Sequence, residues 1–148
     1  MVEQEKEPIT VKDRAKEKLR RDLGPVIGKA LSDPKTVEIM LNADGVLWQE
    51  RLGESMQRIG TVTAARAESI IKTVAGFHGK EITRAKPVVE GELPIDGSRF
   101  AGQIPPVVSH PTFAIRKKAV SVFSLDDYVT SHIMTKAQCD AIRNAVLY

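Results

Sequence analysis

The chain is poor in most of the residues that announce a function. It has one cysteine, Cys139, so an internal disulfide is excluded, and Cys139 has no cysteine partner at metal-ligand spacing. Its three histidines, His78, His110 and His132, are scattered and share no ligand pattern. Aromatic residues make up 5% of the chain, which argues against a free-standing small-molecule sensor built around an apolar pocket. No apolar run approaches the roughly 18 residues of a membrane span, and the opening Met1–Pro8 is acidic and polar where a secretory leader is basic and then apolar. These absences point to a cytoplasmic chain whose contact with a membrane, if any, is peripheral.

What is present is an ordinary globular composition, 42% hydrophobic and 28% charged, with a net charge of +3. Lys12 to Arg21 is rich in basic residues but includes Asp13 and Glu17, and no aromatics are interleaved. Direct nucleic-acid binding is therefore not expected. At 148 residues the chain can bury one core.

The pattern along the chain runs helix, strands, helix, strands, helices. Thr10 with Asp13 forms a helix-capping pattern, followed by Ala15, Leu19, Leu23, Val26, Ile27 and Ala30 at spacings of three and four. Gly24-Pro25 predicts a kink in that helix. From Val37 the apolar period becomes two, through Ile39 and Leu41. Asn42–Gly45 then offers turn chemistry, Val46–Arg51 a second strand and Ser55–Ile59 a third. Thr63 caps a helix with inner face Ala67, Ile70, Ile71, Val74 and Phe77, closed by Gly79. Two further strands flank the turn Pro94–Gly97, and another occupies Thr112–Lys117. Ser124 with Asp127 and Thr135 with Gln138 then open two closing helices. Hairpin-length links imply an α+β fold with a largely antiparallel sheet flanked by helices. The expected division is an N-terminal helical segment over 1–31, an α+β domain over 32–120 and linker helices over 121–148.

Two local patterns invite a catalytic reading and fail it. Gly24–Ala30 contains Gly28-Lys29, but three residues separate the glycines and Ala30 stands where a phosphate loop needs Ser or Thr, all on a helical stripe. Ser109-His110 has no nucleophile-elbow context. Trp48 reads as a core or edge-packing residue.

The arginines carry more. In Ser98–Ile104 the side chains of Arg99, Ala101 and Gln103 share one face, and in Thr112–Lys117 Arg116 lies opposite Phe113 and Ile115. A symmetric pairing of these strands through the intervening proline-rich loop sets Arg99 beside Arg116. Like charges so placed are destabilising unless something anionic lies between them, and two guanidinium forks suit a phosphate. The alternative is that each arginine is simply solvated on its own strand.

The runs Val37–Trp48, Gly91–Pro94, Asp96–Phe100, Pro105-Pro106 and Phe113–Lys117 resemble the N-terminal domain of the traffic ATPases of conjugation and type IV secretion, and the resemblance covers about Ser32 to Val146. It implies a PAS-like α+β domain in a hexameric ring, stacked on a ring of RecA-like domains, with ATP and Mg held between the two in the full-length family member. It also implies partners among the secretion machinery at the inner membrane and assigns nucleotide phosphates to Arg99 and Arg116. The family's phosphate loop, acidic boxes and histidine box belong to the other domain and have no match in this sequence. The resemblance therefore implies a chain that is inactive in ATP hydrolysis by itself, with no cofactor certain for it alone.

Overall fold

The computed structural model describes residues 9–119 and 122–147, arranged as two compact units divided between Lys118 and Ala119. The acidic opening and the boundary expected at 120/121 fall outside the described residues. The first unit contains α1 (Val11–Ser32), β1 (Thr36–Leu41), β2 (Val46–Arg51), β3 (Gln57–Thr61), α2 (Ala64–Phe77), β4 (Val88–Glu92), β5 (Arg99–Gln103) and β6 (Thr112–Arg116).

The six strands form one antiparallel sheet in the order β3-β2-β1-β6-β5-β4. Each half is a meander with short turns, and the halves join where β1 pairs with β6, so Ile39 meets Ile115 across more than half the chain. Both helices lie on one face, touching each other and strands β1, β4 and β6. The core between the layers is built from Leu19, Leu23 and Ile27 of α1, Ile70, Ile71 and Val74 of α2, and the inward strand positions Ile39, Leu47, Val89, Phe100, Phe113 and Ile115. Phe100 and Phe113 stack with ring centroids 5.8 Å apart.

Sequence and local geometry agree closely in the helices. Thr10 and Asp13 form a reciprocal capping box at the start of α1. The chain leaves helical geometry at Gly24, with φ +68°, immediately before Pro25. Arg66 of α2 closes the break: its guanidinium donates to the carbonyl oxygens of Asp22 and Leu23, which the kink deprives of helical partners. Beside it, Lys18 and Ser69 both hydrogen-bond the Asp22 carboxylate, joining the two helices. Thr63 caps α2, and Gly79 follows its end with φ +66°.

The second unit holds α3 (Leu125–Thr130) and α4 (Lys136–Leu147). Ser124 and Asp127 form a capping box, Thr135 and Gln138 pair at the start of α4, and Arg143 bonds Asp126 across the helix pair. Cys139 is buried and free. Among the described residues no helix is long and apolar enough to cross a membrane.

Candidate phosphate-facing site on the open sheet face

The face of the sheet away from the two helices carries charged side chains toward one end and apolar or small ones beside them. At the end of this face, β5 and β6 pair so that Arg99 stands directly opposite Arg116. The symmetric pairing expected from sequence is the one observed, and both side chains are exposed.

The backbone under each arginine is anchored. Arg99 begins β5 immediately after a turn in which the Leu93 N–H donates to the Ser98 carbonyl at 2.7 Å and the Gly97 N–H to the Leu93 carbonyl at 2.9 Å. Asp96 accepts from both the N–H and the hydroxyl of buried Ser98, at 2.9 and 2.8 Å. Arg116 is followed by Lys117, whose Nζ turns to the helix side and donates to the Leu31 and Asp33 carbonyl oxygens at 2.7 and 2.9 Å. These contacts hold the ends of both strands, so the two guanidinium groups rise from fixed neighbouring positions.

The flanking strands complete a transverse row. Glu92 of β4 is opposite Arg99, Glu38 of β1 is opposite Arg116, and Glu50 of β2 is opposite Glu38. Lys118 returns to the open side, its Nζ 4.0 Å from Glu92 Oε1. Among the described residues neither Arg99 nor Arg116 makes an ion pair or a side-chain hydrogen bond. Each therefore keeps its full set of donors, five per guanidinium, available to an anion.

One row along, the face becomes apolar and shallow: Trp48 is opposite Met40, Met40 opposite Ala114, and Ala114 opposite Ala101. A cleft of about 270 Å³ lies there, lined in part by Met40, Ala101, Gln103 and Ala114. Trp48 is half-buried on this face, and its indole N–H is buried without an acceptor among the described residues. A larger cleft of about 590 Å³ opens between α1 and β2–β3, with Lys29, Asp33, Gln49 and Arg51 in its wall. Its polar groups are mostly committed to one another. Arg51 bonds Asp33 at 2.8 Å and Glu54 at 2.6 Å, and Gln49 bonds Thr36 at 2.6 Å. A hydrogen bond from the Lys35 N–H, aided by Arg51, holds the Asp33 carboxyl below the usual carboxylate range. This cleft reads as a satisfied structural seam.

The remaining sequence candidates are dispersed. Gly28-Lys29 lies within α1. His78 contacts the Glu92 carbonyl oxygen at 2.6 Å, tying the end of α2 to edge strand β4, and His110 is exposed beside Ser109. Among the described residues no group of three or more His, Cys, Asp or Glu is placed to hold a metal ion. The acidic flanks Glu38 and Glu92 are the members of the row that sequence reasoning did not single out. Symmetry about the Pro94–Gly97 turn is the signal that pairs Glu92 with Arg99, whereas Glu38 needs the β1–β6 pairing.

No family model matches the chain. It is 49% identical over 129 residues to the conjugal transfer protein TrbB of Rhizobium radiobacter and 47% identical over 129 residues to a probable TrbB of Sinorhizobium fredii. Each match takes in 87% of this chain and 40% of the relative. The fold is similar to that of the VirB11 ATPase from the Brucella suis type IV secretion system, solved in complex with sulphate. That likeness has a TM-score of 0.69 at 22% identity and covers 86% of this chain and 38% of that one. In sequence the chain is similar to TrbB conjugal transfer proteins and spans two-fifths of the length of those it matches, and its fold is similar to that of a type IV secretion ATPase over a like share.

Proposed function

We propose that this chain is the N-terminal, nucleotide-capping and ring-assembly domain of a conjugal-transfer ATPase, and that Arg99 and Arg116 take the phosphates of the nucleotide. The observation that carries this reading is the direct cross-strand placement of two exposed arginines that have no side-chain partner among the described residues. Such a pair is unfavourable by itself and becomes favourable around a multivalent oxyanion. The reading extends to a PAS-like domain in a hexameric ring at the cytoplasmic face of the inner membrane, among conjugation proteins. A separate catalytic domain would supply the phosphate-loop lysine and the magnesium-holding hydroxyl, for which this chain offers no counterpart.

Calorimetric titration of the chain with a non-hydrolysable ATP analogue and Mg, beside Arg99→Ala and Arg116→Ala, tests it. Binding to the parent chain that is lost in both variants is the expected result. Equal heats in all three would overturn the phosphate role. Sulphate, which the VirB11 structure holds, is a simpler tetrahedral oxyanion for the same titration.

A second reading, a protein-interaction module without nucleotide binding of its own, is favoured by the flanking carboxylates. Glu38 and Glu92 give each arginine an acidic cross-strand neighbour, so the row can neutralise itself without a ligand. That reading expects Arg116→Glu to change oligomer size in light scattering while leaving the nucleotide titration untouched.

A further inference from the structure

Glu92 and Lys118 meet the arginine pair at the end of the sheet, and the family resemblance assigns neither a role. Glu92 closes β4 and Arg99 opens β5, paired directly across the hairpin. The Glu92 carboxylate also faces Lys118, at 4.0 Å, with both side chains about two-thirds exposed. Lys118 lies over Gly97: a methyl group built there would sit 3.0 Å from Lys118 Nζ and 3.9 Å from Glu92 Oε2. Gly97 has φ +73°, so the turn both requires glycine and leaves open the space into which the ammonium group settles. Three cations, Arg99, Arg116 and Lys118, thus belong to one corner of the open face, where Glu92 is the cross-strand neighbour of Arg99 and its carboxylate lies 4.0 Å from Lys118.

We infer that Glu92 is a resident counter-ion of the phosphate site and Lys118 its third cation: the carboxylate competes with an incoming polyphosphate for Arg99 and Lys118 and so lowers its affinity. This rests on the arginine pair being a phosphate site. A carboxylate offers the same planar acceptor edge to a guanidinium that a phosphate does, so occupancy by one excludes the other. Because the groups are exposed, the competition is screened by salt and modest in size.

Inorganic tripolyphosphate is the probe, titrated into the 148-residue chain at low and moderate ionic strength. Glu92→Gln keeps the shape and removes the competitor, and the expected result is binding tightened about two- to fivefold, with the gain shrinking as salt is added. Lys118→Gln should weaken binding by a similar factor. Glu90→Gln is the control. It removes the same charge from the same strand but one row along, opposite Ala101, so it should leave binding near the parent value. If Glu92→Gln and Glu90→Gln behave alike while Arg99→Ala and Arg116→Ala lose binding, the counter-ion role is overturned and the arginine site stands. If the parent chain takes up no tripolyphosphate, or the arginine variants match it, the phosphate reading falls and this inference with it.

Discussion

Ile39, Ile115 and Phe100 form one cross-strand row of the sheet, and Glu38, Arg116 and Arg99 form the next, a single residue away on each strand. The first row is buried under two helices, and the arginines of the second are exposed. A slip of one residue in any of these strands would exchange the rows, exposing the apolar set and burying the charges. Burial of the first row therefore fixes the placement of the second. The arginine pair needs no attraction of its own to stand side by side, because the hydrophobic register beneath imposes it. A site can in this way hold like charges together before any ligand arrives.

The comparison breaks most readily from the covered side. Phe100 is 2% exposed and stacked on Phe113, so Phe100→Ala should cost about 3–5 kcal/mol, read by urea denaturation. That is a large share of a domain's usual total of about 5–15 kcal/mol. Gly102 sits on the same face, and a methyl group there would lie 2.9 Å from Phe100 Cε1 and 3.0 Å from two carbons of Ile71. Gly102→Ala should therefore destabilise by about 1–3 kcal/mol through overpacking. Its neighbour Ala101, on the open face, should accept Ser with almost no change. A Gly102→Ala variant as stable as the parent would show that the helix layer yields more than its packing indicates.

Much of this was legible in the chain itself. Alternation in Ser98–Ile104 and Thr112–Lys117, together with the loop between them, was enough to set Arg99 against Arg116. Caps at Thr10, Thr63 and Ser124, and the kink at Gly24, followed from local chemistry acting within a few residues. What was not legible depends on contacts between distant segments. The β1–β6 pairing that brings Glu38 to Arg116 joins strands more than 70 residues apart in sequence. Arg66 reaching the open carbonyl groups of the α1 kink is of the same kind, since nothing local to either helix specifies it. Strand β3 begins at Gln57, two residues beyond the expected Ser55, because the turn after β2 is longer than Gly53-Glu54 suggests.

The open side should break without unfolding. Replacing Arg99 and Arg116 together by alanine removes exposed groups that have no side-chain partner among the described residues, so stability should stay within about 0.5 kcal/mol of the parent. Nucleotide or tripolyphosphate binding, if the proposed function is right, should be lost in the same variant. A marked loss of stability would mean that the charged row contributes to holding the sheet, contrary to the division of roles between the faces.

The smallest effect lies at the seam of the covering helices and is visible only through pH. Partial burial pushes the Asp22 carboxyl up, but hydrogen bonds from Lys18 and Ser69 and the charges of Lys18 and Arg21 outweigh it and hold the group below its ordinary value of 3.8. The unfolded chain therefore binds this proton more readily than the folded one. The stabilisation is complete above the unfolded value and is lost as pH falls through the lower, folded value. Asp22→Asn discards the charge at every pH. Its thermal midpoint should lie below the parent's near pH 6 and converge with it as the pH falls from about 3.8, where the unfolded chain takes up the proton, through the lower folded value, where the native carboxylate does. Two curves that ran parallel down to acid would show that Asp22 contributes through shape and hydrogen bonding alone, and that its charge is no part of what keeps α1 and α2 together over the sheet.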